Sequence, residues 1–192
     1  MRIAEAAPRR RGAPREALAV VAFWRAAGRP RWFAKDVVFD RMVRARLGRL
    51  RDAAAAGALD HWADTAPGAL ALLILLDQAP RNLFRGHARA FATDALAVEV
   101  ARRAVARGFD RRTARPMRSF FYLPFEHAED HELQALCVRL FSADGDRDGL
   151  AWAQLHADII ARFGRFPHRN AALGRDTTDH EREYLENDGF DG

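Results

Sequence analysis

The sequence predicts an all-α fold: antiparallel helical hairpins forming an array of about seven or eight helices. Three observations carry that prediction. Sustained two-residue alternation is missing and β-branched residues are few, so little in the chain favours strands. Apolar residues recur instead at three- and four-residue spacing in one segment after another. Glycine or proline stands where many of these segments begin or stop.

Taken in order, residues 1–13, "MRIAEAAPRRRGA", read as a flexible basic tail, and 14–192 as a single helical domain. No apolar h-region follows the charged start, so it does not have the form of a secretory signal. "REALAVVAFWRAAG" (15–28) is a helix ending on Gly28, suited to a left-handed cap. The segment 35–57 carries Val38, Met42, Leu47 and Leu50 and stops at Gly57. Pro67 opens the apolar helix "PGALALLILLDQA", where a missing amide hydrogen costs nothing. Thr93 or Asp94 caps "ALAVEVARRAVARG", which closes at Gly108. "PMRSFFYL" gives a short aromatic helix, and another runs from about Asp130 to Phe141, its stripe being Leu133, Leu136, Cys137, Leu140 and Phe141. Trp152, Leu155, Ile159, Ile160 and Phe163 repeat that pattern over 149–163, with Asp158 and Arg162 a surface pair. Thr178 and Glu181 form a capping box for a last helix.

With 49% hydrophobic residues, the 192-residue chain has ample material for a core. The longest apolar run, "ALALLILL", falls well short of the roughly 20 residues that span a bilayer, and fits a buried helix. Cys137 is the single cysteine, which excludes a disulfide framework and fits a reducing, cytoplasmic setting. The net charge of +5 invites nucleic acid as a partner. Against this, arginine is interleaved with Asp and Glu, the densest cluster (Arg9 to Arg11) lies in the tail, and no nucleic-acid-binding motif is present.

Three polar blocks break the helical logic. In "LLILLDQAPRNLFRG" an apolar helix runs into Asp77 and Gln78, and Pro80 interrupts its ladder; beyond it stand Arg81, Asn82 and Arg85. Asp77 can pair with Arg81 across the bend, either as a structural fix or as part of an anion pocket where amides and guanidinium forks converge. In "FFYLPFEHAED", Pro124 places Glu126 and His127 at a helix junction, where the pair is a candidate for acid–base chemistry or for satisfying helix ends. In "FGRFPHRNAALGR", Gly164 ends a helix and Pro167 prevents an immediate restart, so Arg165, His168, Arg169 and Asn170 follow a constrained path. Phe163 and Phe166 anchor it, each burial contributing about 1.5–3 kcal/mol. His156, on the apolar face of the preceding helix, points at the core or its edge. No CxxC, HExxH, Walker, GxGxxG or GxSxG pattern occurs, so neither metal nor cofactor is implied.

From about Phe23 to Leu185 the chain resembles the bacterial domain of unknown function 924. The blocks that carry the resemblance are "RWFAKDVVFD", "ILLDQAPRNLFRG", "RAFATD", "FFYLPFEHAED" and "FGRFPHRNAALGR" followed by "TT". Ala79 stands where a bulky aromatic is common, and Ala128 where a serine often follows the histidine. The resemblance implies a tetratricopeptide-like arrangement of paired helices. It supplies no catalytic residue, since no activity is attached to the family.

Three functional readings follow. One is a pocket for a small anionic ligand, built from Asp77, Arg81, Asn82, Arg85, His127, His156, Arg165, His168, Arg169 and Asn170, with Glu126 and His127 as candidates for catalysis. The second is a protein- or peptide-binding module with Trp24, Trp32 or Trp62 exposed on a concave face. The third is a buried polar network that fixes the packing of the helices.

Overall fold

The computed structural model describes residues 12–187; the expected basic tail lies outside the described residues as far as position 11. Among the described residues the regular structure is helical throughout, the class that the periodicity predicts. In chain order the α-helices are α1 (Arg15–Ala27), α2 (Arg29–Trp32), α3 (Val37–Ala55), α4 (Ala66–Leu73), α5 (Ala79–Leu83), α6 (Asp94–Ala106), α7 (Leu123–Glu126), α8 (His131–Asp144), α9 (Arg147–Phe163), α10 (Asn170–Leu173) and α11 (Asp179–Asn187). Short 3₁₀ segments fill several connections, among them Met117–Phe121, the short aromatic helix of the sequence reading, and Pro167–Arg169.

α4 is the axis of the core. Every residue from Gly68 to Leu76 is buried, so this helix has no solvent face, as its unbroken apolar run requires. α1 and α6 pack against it, and α3 packs against its continuation α5. α8 and α9 form a hairpin whose helices approach closely at Gly149. A β-carbon there would sit 2.4 Å from the buried Phe141 ring, so the glycine allows the approach. A smaller apolar cluster of Ile159, Ile160, Phe166 and Tyr184, flanked by Phe163 and Leu185, holds the C-terminal segment.

Several helix boundaries are as expected. Asp130 caps α8 by accepting the Leu133 amide at 2.8 Å, although the helix continues past Phe141 to Asp144. Gly164 ends α9 in the left-handed region (φ 69°) and its amide returns to Ile160. Thr178 and Glu181 close their capping box reciprocally, at 2.8 and 3.2 Å.

Other expectations are corrected. On α3 the buried stripe is Phe39, Val43, Leu47 and Ala54; Val38 is exposed, because α3 starts at Val37 with Asp36 as its cap and turns Phe39 inward. Trp152 and Leu155 are exposed on α9, whose buried face is Ala153, His156, Ile159 and Ile160. Arg162 turns to His180 (2.8 Å) rather than to Asp158. Trp24, Trp32 and Trp62 are all buried, so none lines an exposed concave face. Trp24 packs on Phe39 and Phe120, and the Trp32 indole donates to the Trp24 carbonyl.

Candidate functional site

Pro80 does not end its helix. The irregularity comes one turn earlier, as a π-turn over Ile74–Gln78 in which the Ala79 amide reaches back five residues to the Ile74 carbonyl. Pro80 then falls in the first turn of α5 and the helix runs on to Leu83. Proline has no amide hydrogen for the Leu76 carbonyl four residues behind it; the Thr93 hydroxyl supplies that bond at 2.5 Å. This explains why Thr93, at the start of α6, makes no side-chain cap to its own helix.

The wide turn directs Asp77 into the protein, where it is only 1% exposed. Its Oδ1 meets His127 Nδ1 at 2.7 Å and lies 3.4 Å from Arg81; its Oδ2 accepts from Gln78 Nε2 at 2.5 Å. Arg81 forms a two-pronged pair with Asp94 (3.0 and 3.1 Å) and also donates to the Asp77 and Ala90 carbonyls. Asp94 is shared, since Arg169 approaches it at 3.6 Å. The Arg169 guanidinium lies over the rings of Phe91 (4.7 Å) and Phe166 (4.4 Å), and its buried Nε has no hydrogen-bond partner among the described residues. Glu126, on α7, places Oε1 3.8 Å from His156 Nδ1, while its Oε2 is buried and unpartnered. His156 Nδ1 also contacts the Trp152 carbonyl at 2.8 Å, and its ring packs edge-on to Phe166.

The electrostatics follow from burial and from this charge order. Burial would raise the Asp77 carboxyl, but His127 and Arg81 outweigh it and hold the group well below the usual range. Burial pulls the Arg81 guanidinium down, yet Asp77 and Asp94 leave it raised. Glu126 goes the other way: burial, reinforced by the Asp77 charge, pushes it up to about 8, so it holds a proton at neutral pH. His127 is lowered by burial and by Arg81. Burial lowers His156 to about 3, and burial together with Arg169 lowers His168 to about 4. Burial and the Arg81 charge bring Arg169 down to about 10. A neutral His127 that donates Nδ1–H to Asp77 presents Nε2 as an acceptor. The centre thus combines a carboxylic acid, an imidazole acceptor and two guanidiniums. Arg81 and His127 keep side-chain exposures of 21% and 14%, so it is open to solvent on their side.

The remaining residues do not join it. Asn82 and Arg85 both turn to Asp40 of α3, at 2.7 and 2.8 Å, and Arg85 also binds the Ala34 carbonyl. Arg165 and Asn170 belong to a C-terminal knot around Glu181, which accepts Arg165 at 2.6 and 2.8 Å and Asn170 at 3.3 Å. Arg175 ties that knot to Glu129 and to the Asn170 side-chain oxygen. The sequence motifs therefore divide into three sets, and only Asp77, Arg81, Glu126, His127, His156 and Arg169 share one centre; His168 touches its edge through Phe166.

Sequence reasoning singled out Gln78 without its bond to Asp77, and missed Phe91, Asp94 as an ion-pair partner, Asp40 and Glu129. Of those missed, Asp94 carried a signal, as an acidic residue in a first helical turn close to an arginine-rich block. Cys137 is buried, with its thiol pushed up by burial and aimed at the Tyr122 carbonyl, which disfavours the thiolate that a nucleophile needs. Among the described residues, no group of three or more His, Cys, Asp or Glu side chains is placed to hold a metal ion, and no helix is long and apolar enough to cross a membrane.

The family model described as bacterial protein of unknown function (DUF924) matches residues 20–189. A solved structure of a protein of unknown function from Agrobacterium tumefaciens is similar to the chain at 48% identity, with a TM-score of 0.86, covering 88% of this chain and 96% of that one. No curated protein matches the sequence.

Proposed function

The chain belongs to this bacterial family of unknown function, DUF924, and from that premise we propose that its buried polar centre binds a small ligand bearing a carboxylate or phosphate. One observation carries the proposal. Arg169 is a buried cation held between two aromatic rings, has an unpartnered Nε, and shares its nearest carboxylate with Arg81. Asp77 is already engaged by His127 and Gln78, so two guanidiniums draw mainly on Asp94. A ligand anion entering past Arg81 and His127 would relieve that shortage with charge-assisted bonds. Glu126, carrying its proton, and His127 Nε2 would offer a donor and an acceptor to the same ligand, the pairing that acid–base chemistry uses. The α8–α9 hairpin supports a tetratricopeptide-like arrangement around this centre.

Thermal shift with orthophosphate and with small di- and tricarboxylates tests the proposal. A ligand at about 100 times its dissociation constant adds roughly 2.7 kcal/mol, or about 5–10 °C for a domain of this size. The shift should vanish in a folded Arg169→Gln variant and persist in Arg85→Gln, whose side chain serves Asp40 instead. Absence of any shift in the wild type, or its equal loss in both variants, would remove the proposal.

A further inference from the structure

α1 buries one face and leaves small and apolar residues on the other. Ala17, Val20, Val21 and Trp24 face the core, while Leu18, Ala19, Ala22 and Ala26 face solvent. Only Arg15, Glu16 and Arg25 interrupt the apolar surface. Between those charges the exposed arc is made of Leu18 and alanines.

Beside that arc runs a groove of about 440 Å³ between α1 and α3. Its floor is fixed: Phe23 stacks on Phe39 with ring centres 5.9 Å apart. Ala19, Ala22, Ala26 and Ala27 form one wall, and their small side chains let a second helix axis come close. The polar lining is cationic only. Arg31 and Arg46 reach the groove, Arg46 over the Phe23 ring at 5.5 Å and Arg31 also 3.9 Å from Asp36, and among the described residues no acidic side chain lines it.

We propose that this groove docks an amphipathic helix of a partner protein, with an apolar stripe on Phe23, Phe39 and Met42 and flanking carboxylates that meet Arg31 and Arg46. The shape fits the helix-in-groove mode of recognition, and the charge pattern fixes the sign of the partner. A second copy of this chain fits poorly. In a two-fold contact the same patch meets itself, which would set Arg31 and Arg46 against their own counterparts in chains of net charge +5. The surface is separate from the polar centre, none of whose residues lines the groove.

The test uses the full chain and fluorescein-labelled amphipathic peptides of about 18 residues, one of Leu and Glu and one of Leu and Lys in the same pattern. Anisotropy should show the acidic peptide binding at least about tenfold more tightly than the basic one. Arg31→Glu combined with Arg46→Glu, and separately Ala22→Glu, should each weaken it by about tenfold or more. All three positions are exposed, so circular-dichroism melts should stay near wild type, which separates lost docking from lost folding. Equal binding of both peptides, binding of neither, or indifference to the variants would overturn the proposal. Two further outcomes would replace it: a dimer in sedimentation that Ala22→Glu dissolves, which assigns the face to a second copy, or capture by phosphatidylglycerol vesicles but not by the acidic peptide, which assigns it to a lipid surface.

Discussion

At the C-terminal end, Glu181 receives both prongs of Arg165, the Asn170 amide group and the Thr178 backbone amide, and Glu129 receives both prongs of Arg175 and the Phe166 amide. At the centre, the same residue types leave Glu126 Oε2 and Arg169 Nε without partners. A closed network fixes how segments pack, and its worth lies in completeness. An open one keeps donors and cations unspent inside the protein, at a cost in stability. The difference separates two meanings that one arginine-rich motif, "FGRFPHRNAALGR", carries side by side: Arg165 and Asn170 serve the knot, Arg169 the centre.

Three substitutions break or sharpen that contrast. Asp77→Ala should have the largest effect. It leaves His127 Nδ1 and Gln78 Nε2 without their acceptor in a buried site and weakens the hold on Arg81, so urea unfolding should show a loss of about 3–5 kcal/mol. Glu126→Gln should act in the opposite direction. The folded group titrates near 8, above its ordinary 4.5, so the native state holds a proton that the unfolded chain releases. Wild-type stability from this group is full below pH 4.5 and falls as pH rises to 8. The variant lacks that decline and should exceed the wild type by about 2–4 kcal/mol at pH 8 and by little at pH 4. A pH-independent difference would mean that Glu126 carries no proton in the native state. Glu181→Gln should have the smallest effect, because its partner Arg165 remains partly in solvent. Arg165 lowers Glu181 from 4.5 to about 2, so its contribution is full above pH 4.5 and lost as pH falls through 2. The variant should melt below the wild type at pH 7 and level with it near pH 2. The knot thus gains from rising pH over one window, and the centre loses from it over the next.

The fold was largely legible because helical periodicity, Gly164 and the Thr178–Glu181 box are local signals that packing did not override. The pairing of Asp77 with Arg81 was visible for the same reason, lying four residues apart. What local spacing could not show was which distant side chain claims each polar group. Asn82 and Arg85 are taken by Asp40, more than forty residues earlier, and Thr93 spends its hydroxyl on the carbonyl that Pro80 leaves bare. The tryptophans were misplaced for a related reason: each lies in an aromatic or apolar cluster formed by remote segments, and sequence spacing says little about such burial. On α3 and α9 the apolar stripes were read about one residue out of phase, since both helices carry more apolar positions than one face can bury.

The π-turn at Ile74–Gln78 has a consequence for chain length. An α-helix advances about 100° per residue, and a five-residue turn holds one residue more than the ladder needs. The helix segments on its two sides are thereby clocked differently, α4 toward α1 and α6, α5 toward α3. Removing Leu75 or Leu76 would let the ladder close as ordinary α-helix with its two flanks in place. Asp77 would then lose the wide turn that carries it toward His127, while Arg81, beyond the turn, would keep its place beside Asp94. Point substitutions test single contacts, whereas a one-residue deletion here would unseat Asp77 from the centre while sparing every side chain that builds the knot.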